Sequence, residues 1–88
     1  MEELKFEPAI QTSRNTLDLR GMQVDDAIRE TDIAIASKGH VSTLFVIHGI
    51  GTGAVKEAVL NMLKGHPRVV KFEQESPMNF GCTIVYIR

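Results

Sequence analysis

The chain has 88 residues, of which 43% are hydrophobic, and carries a formal net charge of −1 at pH 7. This length and composition predict one domain whose core suffices for folding without a metal, and a single cysteine, Cys82, excludes a disulfide framework. No stretch approaches the roughly 20 apolar residues of a membrane-spanning helix, and the N-terminus lacks the pattern of a signal peptide, so we expect an intracellular protein without a membrane partner.

Residues 1–13 contain Pro8 and show no sustained periodicity, which predicts an extended arm or the end of a linker. Residues 14–88 are expected to form the domain. Because the chain opens with such an arm and ends inside a predicted strand at Arg88, we interpret it as the C-terminal module of a longer protein.

Alternating and helical spacings of apolar residues predict four strands and two helices after the arm. The predicted elements are, in order, a strand over 16–21, a helix over 24–38, a strand over 43–47, a helix over 54–63, a strand over 69–75, a turn over 76–81 and a strand over 82–87. In the third strand, Val70 and Phe72 are expected on one face, with Lys71 and Glu73 on the other.

This order predicts a two-layer α/β sandwich in which a four-stranded mixed sheet (β-α-β-α-β-β) carries both helices on one face. Two strands joined by a helix lie parallel through a right-handed crossover, and the short last connection predicts an antiparallel hairpin. Because the first and third strands each have a polar side, the second face of the sheet is expected to be open.

Three alternate glycines follow the most apolar strand, in the segment His48-Gly49-Ile50-Gly51-Thr52-Gly53. Glycine allows backbone N–H groups to approach a ligand, and the start of the following helix favours an anion. We therefore predict a phosphate site formed by Arg20, Gly49, Gly51, Thr52, Gly53 and Lys56. The chain is too short for a dinucleotide-binding domain and lacks the Gly-Lys-Ser/Thr of nucleoside triphosphatases, which leaves a simple tight turn as the alternative.

Asp18, Arg20 and His48 are the candidate catalytic residues. They lie near the carboxyl ends of two parallel strands, the edge at which open α/β sheets bind ligands. Arg20 can bind two phosphate oxygens, His48 can act as general base or acid, and Asp18 can orient either of them or hold a divalent metal. The alternatives are an exposed ion pair and a histidine that only bonds the backbone.

The positive charge of the second half of the chain is compatible with a nucleic acid partner. Residues 36–88 carry six basic and three acidic side chains, despite the net charge of −1 for the whole chain. In the last turn, Phe80 is expected to fold back on the core, and base stacking is its alternative role. His66, which precedes Pro67, is expected to be a surface turn residue.

Three segments together resemble the signature segments of the small MutS-related (Smr) domain family. They are Leu17-Asp18-Leu19-Arg20-Gly21, His48-Gly49-Ile50-Gly51-Thr52-Gly53 and Gly81-Cys82-Thr83-Ile84-Val85. The resemblance covers residues 14–88 and is greatest to the C-terminal domain of the second bacterial-type MutS paralogue of bacteria and plant plastids. Cys82 stands where the family usually has alanine, and Phe80 where it often has a second glycine.

The resemblance implies a nucleic-acid-binding domain with nicking endonuclease activity on DNA or RNA, helped in some members by Mg²⁺ or Mn²⁺. It assigns the site to Asp18, Arg20, His48, Gly49 and Gly51. The alternative is a non-catalytic module that binds nucleic acid or docks on the ribosome. We further expect that the isolated domain is a monomer, that it folds without a cofactor, and that the protein lies in the bacterial cytoplasm or in a plastid.

Overall fold

The computed structural model describes residues 4–88. Its regular elements are β1 (Thr16–Asp18), α1 (Val24–Ala36), β2 (Ser42–Ile47), α2 (Ala54–Lys64), β3 (Val69–Ser76) and β4 (Asn79–Ile87), with a single 3-10 turn at Ser13–Asn15. This succession confirms the predicted α/β fold and its element order. No helix in this part of the chain is long and apolar enough to cross a lipid bilayer.

The four strands form one mixed sheet in the order β1-β2-β4-β3. Strands β1 and β2 are parallel, with Leu17 opposite Val46, whereas β2 and β3 each pair with β4 in the antiparallel sense. Strand β4 lies between β2 and β3, and its residues 81–87 accordingly form the longest buried run of the chain. Because β1 and β2 are neighbouring parallel strands, their carboxyl ends meet at one edge of the sheet.

Both helices pack on one face of the sheet, as predicted. The two layers enclose a core of fully or almost fully buried residues, namely Leu19, Ala27, Ile35, Leu44, Val46, Val59, Leu63, Val85 and Ile87. Each buried Leu, Ile or Val side chain contributes about 1.5–3 kcal/mol relative to an exposed one, so this layer supplies much of the hydrophobic stabilisation.

The second face of the sheet is covered in part, which corrects the expectation of an open face. Phe45, Cys82, Ile84 and Tyr86 form a second buried cluster there, and Phe6 and Ala9 of the arm pack against it. The Phe6 and Tyr86 rings meet edge to face, with centroids 5.1 Å apart. Because β2 and β4 are apolar on both sides, their second side also has to be withdrawn from water.

The arm is therefore part of the folded structure from Leu4 onward, although residues 4–12 form no helix or strand. The first three residues of the predicted arm lie outside the described part of the chain. The division of the chain at residue 13 stays a prediction.

Strand β3 is irregular, which corrects the predicted side-chain pattern. The pairing with β4 shifts between Val69 and Lys71, so Val69 and Phe72 pack toward the core whereas Val70 is 42% exposed. A bulge adds one residue to a strand and moves the following side chains to the other face. Lys71 and Glu73 are exposed, as predicted.

The β3–β4 hairpin is tighter than the predicted six-residue turn. Ser76 pairs with Asn79, so only Pro77 and Met78 lie between the strands. Phe80 consequently belongs to β4 and is exposed, which is not the predicted fold-back on the core.

Candidate functional site

The glycine loop, residues 48–53, connects β2 to α2. Its backbone adopts positive φ at Gly49 (77°), Gly51 (28°) and Gly53 (82°), a region that glycine enters without the steric cost of a Cβ. Gly53 is the N-cap of α2 and offers no side-chain oxygen, and the first helical N–H, that of Ala54, has only a long bond of 3.4 Å to Thr52 Oγ1. The start of α2 therefore presents N–H groups without a strong capping partner.

A cavity of about 180 Å³ lies at this helix start. It is lined by Gly21 and by every residue from His48 to Lys56. Backbone N–H groups at a helix N-terminus together with a lysine favour a small anion such as phosphate. The structure places Gly49, Gly51, Thr52, Gly53 and Lys56 around this cavity, whereas Arg20, the sixth residue of the predicted phosphate site, does not line it.

Lys56 lies on the side of the cavity that faces β4. Its Nζ donates a hydrogen bond to the Phe80 carbonyl over 3.1 Å and lies 6.0 Å from the centre of the Phe80 ring. The ammonium group is thus held between the glycine loop and the β3–β4 hairpin.

Strand β4 fixes the position of the loop through Gly81. The Gly81 carbonyl accepts hydrogen bonds from the N–H groups of His48 (3.0 Å) and Gly49 (3.1 Å). A Cβ at Gly81 would lie 3.4 Å from the Gly49 backbone, and a Cβ at Gly49 would lie 3.3 Å from Arg20 Cγ. The positive φ and the nearby Arg20 side chain disfavour a side chain at Gly49, and a Cβ at Gly81 would just touch the loop backbone. Gly81 is a part of the site that the sequence-based prediction omitted.

Asp18 and Arg20 form an exposed, two-point ion pair at the end of β1. Arg20 Nε and Nη2 donate to the two carboxylate oxygens over 3.0 and 2.8 Å, and the Arg20 backbone N–H also donates to Oδ1. These hydrogen bonds lower the pKa of Asp18 to about 2 and raise the pKa of Arg20. Asp18 thus orients Arg20, one of the three roles that the sequence left open.

His48 is 7% exposed and lies under the glycine loop. Its Nδ1 is 3.0 Å from the Gly49 carbonyl, and its Nε2 is 2.8 Å from the hydroxyl of Thr83. Because a carbonyl only accepts, Nδ1 carries the proton and Nε2 accepts from Thr83. Burial, with a smaller effect of the Lys56 charge, lowers the pKa of His48, so the ring is neutral at pH 7.

Thr83 is a second residue of the site that the sequence-based prediction omitted. It is 3% exposed and stands on the helix-facing side of β4, which it shares with Val85 and Ile87. A threonine in such an apolar series signals a buried partner, because an unpaired buried hydroxyl is costly.

A larger cleft, which we call the loop cleft, opens on the other side of the glycine loop. Its volume is about 470 Å³, and it is lined by Gln11, Arg20, Ile47, Gly49, Ile50, Asn79, Gly81 and Cys82. Burial raises the pKa of the Cys82 thiol, so this residue stays a protonated, apolar part of the wall and is a poor nucleophile.

The carboxylate, thiol and imidazole groups near the site do not by themselves form a metal centre. In the described range 4–88, no group of three or more His, Cys, Asp or Glu side chains is placed to hold a metal ion. Both oxygens of Asp18 already accept hydrogen bonds from Arg20. An effect of Mg²⁺ or Mn²⁺ on activity stays a prediction.

The carboxyl ends of β1 and β2, which carry the site, are joined by a backbone hydrogen bond. The N–H of Leu19, between Asp18 and Arg20, donates to the carbonyl of Ile47, which precedes His48, over 2.7 Å. A family model described as the Smr domain matches residues 17–88, from this segment to the end of the chain. The chain belongs to the Smr domain family.

Its relatives in this family include bacterial proteins named Endonuclease MutS2. The protein of Streptococcus thermophilus is 41% identical over 75 residues, which cover 81% of this chain and 10% of the relative. That of Synechocystis sp. is 36% identical over 90 aligned residues, which cover 98% of this chain and 11% of the relative. The chain thus spans about a tenth of the length of the curated relatives it matches.

Two crystal structures resemble this Smr domain. The Smr domain of Thermus thermophilus MutS2 is 35% identical, with a TM-score of 0.78 over 84% of this chain and 98% of that one. YdaL, a stand-alone small MutS-related protein from Escherichia coli, has a TM-score of 0.69 over 88% of this chain and 66% of that one. At 19% identity, YdaL supports the fold alone.

Proposed function

We propose that this Smr domain binds the phosphodiester backbone of DNA or RNA at the glycine loop and nicks it, as the C-terminal module of a larger MutS-like protein. The observation that carries the proposal is the cavity of about 180 Å³ in front of the weakly capped start of α2, with Lys56 at its edge. The name Endonuclease MutS2, which the relatives bear, supports a nuclease-related role.

Binding uses the loop amides, Lys56 and Arg20. A guanidinium has five N–H donors, and Asp18 takes two of those of Arg20, so the remaining ones stay available for phosphate oxygens. Because Asp18 is ionised above a pKa of about 2, this orientation of Arg20 is maintained throughout the physiological pH range. The two-point pair thus presents a preoriented cation to the nucleic acid.

Cleavage would proceed by attack of water on phosphorus. The attacking water loses a proton to a base as its oxygen bonds phosphorus, and the bond to the leaving oxygen breaks with uptake of a proton from solvent. The amides of the glycine loop and Arg20 stabilise the negative charge that develops on the non-bridging oxygens. His48 is the candidate base, and its Nε2 has to exchange the Thr83 hydroxyl for the water before it can take the proton.

The alternative is a non-catalytic module that binds nucleic acid or docks on the ribosome. Both ring nitrogens of His48 are already hydrogen-bonded, to the Gly49 carbonyl and to the Thr83 hydroxyl. This favours the alternative, because neither nitrogen offers a lone pair to a substrate in this arrangement. In that case the ring only supports the loop that binds phosphate.

An assay with purified chain separates the two functions. Supercoiled plasmid and a single-stranded RNA are incubated with and without Mg²⁺ or Mn²⁺, and His48→Ala protein purified in parallel serves as the control for contaminating nucleases. Conversion to nicked circles or shorter RNA by the wild type and not by the variant supports the endonuclease. Retention of both substrates intact, with binding detected by gel shift, supports the non-catalytic module.

The setting in which the domain works stays a prediction. The relatives described above come from bacteria, which agrees with the expected bacterial setting, and a plastid is the other expectation. A ribosomal partner and the monomeric state of the isolated domain are predictions that cosedimentation with ribosomes and light scattering can test.

A further inference from the structure

We propose that the loop cleft is a subsite for one unpaired nucleobase, which makes the domain a reader of single-stranded or locally unpaired nucleic acid. The inference rests on the proposed function, since it assumes that a phosphate of the same strand occupies the glycine loop. It adds a specificity that backbone contacts alone do not provide.

The size and walls of the cleft suit a flat aromatic group. Its volume of about 470 Å³ lies within the range of about 300–1,000 Å³ that is usual for small-molecule sites. Cys82 is buried and Ile47 half-buried in the wall, and Ile50 is 73% exposed. A large aliphatic side chain so exposed beside a cavity offers apolar surface that a stacked base would remove from water.

Ile50 lies against the backbone of β4. Its Cγ1 lies 3.6 Å from the point that a Cβ of Gly81 would occupy, so the side chain covers β4 at this glycine. Gly81 in turn holds the loop through the two hydrogen bonds to the amides of His48 and Gly49. The backbone is therefore anchored to β4 at the two residues that precede Ile50.

The loop cleft adjoins the cavity at the start of α2, which we call the phosphate cavity. Gly49 and Ile50 line both spaces, so the two lie on either side of the same residues, and a strand whose phosphate lies against the loop amides can place a neighbouring base in the cleft. Arg20 lines the cleft as well, and a guanidinium plane can stack on a base or bond its phosphate. A base within a duplex is stacked on both sides and cannot enter, which restricts the subsite to unpaired bases.

Two amide side chains lie in the lining of the cleft. Asn79 is held by bonds from its Nδ2 to Glu75 and from the Gly81 N–H to its Oδ1, whereas Gln11 is exposed on the arm. Amides carry both donors and acceptors, the groups that base edges pair with. The arm thus contributes a polar residue to the site and does more than cover the sheet.

The central comparison is between two single strands of equal charge, one with bases and one without. Fluorescence anisotropy with the whole 88-residue chain measures the Kd of a labelled thymidine 12-mer, of an abasic 12-mer with the same phosphates, and of a duplex of the same length. We expect the thymidine strand to bind about 5- to 150-fold more tightly than the abasic strand, the usual range for one stacked base, and, despite its lower charge, more tightly than the duplex. A uridine 12-mer of RNA, measured in the same way, shows whether the domain prefers ribose or deoxyribose.

Ile50→Ala and Met78→Ala form a matched pair of variants. Both residues are exposed and aliphatic, but Met78, 87% exposed at the hairpin tip, does not line the cleft. Ile50→Ala should lower the ratio of the thymidine-strand affinity to the abasic-strand affinity toward 1. Met78→Ala should change neither, and equal melting temperatures establish that both variants are folded.

Failure of the subsite and failure of the proposed function give different results. Equal affinity of the wild type for the thymidine and abasic strands, or an unchanged ratio in Ile50→Ala, would overturn the base subsite and leave phosphate binding in place. Absence of binding to every nucleic acid would overturn the proposed function, and the subsite with it.

Discussion

His48 and Thr83 are joined by a hydrogen bond of 2.8 Å between Nε2 and the threonine hydroxyl, which connects the start of the glycine loop to the central strand. Both residues are buried, so the bond takes the place of water for each of them. The loop is thereby anchored to β4 by a side chain as well as by the carbonyl of Gly81.

Removal of the Thr83 hydroxyl should destabilise the domain. Thr83→Val keeps the shape of the side chain but leaves Nε2 of His48 buried without a donor, at a cost of about 1–3 kcal/mol. Thr43→Val is the control, because Thr43 is a half-buried threonine on β2 that pairs with Tyr86. Thr83 pairs with Val46, three positions further along β2. Urea unfolding measures the stability of both variants. Equal midpoints for the two would contradict a stabilising role for the His48–Thr83 hydrogen bond.

Stability should fall as the solution becomes mildly acidic. Burial lowers the pKa of His48 in the folded state below its value of about 6.5 in the unfolded chain, so the unfolded state binds more protons between these two values. The free energy of unfolding is therefore expected to decrease as the pH drops below about 6.5 and to level off below the folded pKa. His48→Gln should flatten this dependence in a series of melting curves, and an unaltered slope would assign it to another group.

The elements around the glycine loop could be predicted from the sequence because each signal there is local. The apolar run of β2, three glycines and the helical spacing of α2 lie within 22 residues, from Thr43 to Lys64. The same local reasoning placed Asp18, Arg20 and His48 at one edge, because strands joined by a helix are parallel.

Contacts that depend on distant segments could not be predicted in this way. Phe6 and Ala9 carry no periodic signal, so their packing on the second face of the sheet was missed, as was the bulge at Val70. His66, expected on the surface, has a side chain only 13% exposed and bonds Asp32, which lies 34 residues earlier. Tertiary partners decided all of these positions.

Arg68 is a further long-range residue, and its loss should destabilise the domain. Its guanidinium donates to the carbonyls of Ile35 (2.9 Å) and Lys38 (2.8 Å) near the end of α1 and to that of Arg88 (2.9 Å). Charged donors give strong hydrogen bonds, so Arg68→Met should reduce the free energy of unfolding by about 2–4 kcal/mol. Arg29→Met, at an exposed position of α1 whose side chain bonds only Asp26, is the control. A loss of less than about 0.5 kcal/mol, the range of surface substitutions, would contradict this role.

The phosphate site should show in the salt dependence of binding. Each phosphate contact that is lost reduces the slope of log K against log salt by about 1, so Arg20→Gln and Lys56→Gln should each weaken binding and flatten the slope. Lys64→Gln, at the far end of α2, should leave both unchanged because it lies about two turns from the phosphate cavity. If the slope responds to Lys64 and not to Lys56, the nucleic acid lies along the other end of the helix.

Catalysis and binding should separate in His48→Ala and Asp18→Asn. If His48 transfers protons during cleavage, its removal lowers the nicking rate by about 10²- to 10⁴-fold, the usual contribution of a general base or acid. Asp18→Asn should also slow nicking, since the amide can no longer hold Arg20 by two charged hydrogen bonds. Its affinity should stay the same or rise slightly, because a carboxylate beside the phosphate is removed.

The measurement is nicking rate against Kd on one substrate, with each variant checked by its melting curve. His48 is buried and bonded at both nitrogens, so His48→Ala also removes contacts that support the loop. Thr83→Val distinguishes the two effects, because it disturbs the ring's anchoring and leaves the imidazole in place. A base that acts chemically gives a slow His48→Ala and an active Thr83→Val, whereas equal losses of rate and affinity in both variants would assign His48 a supporting role alone.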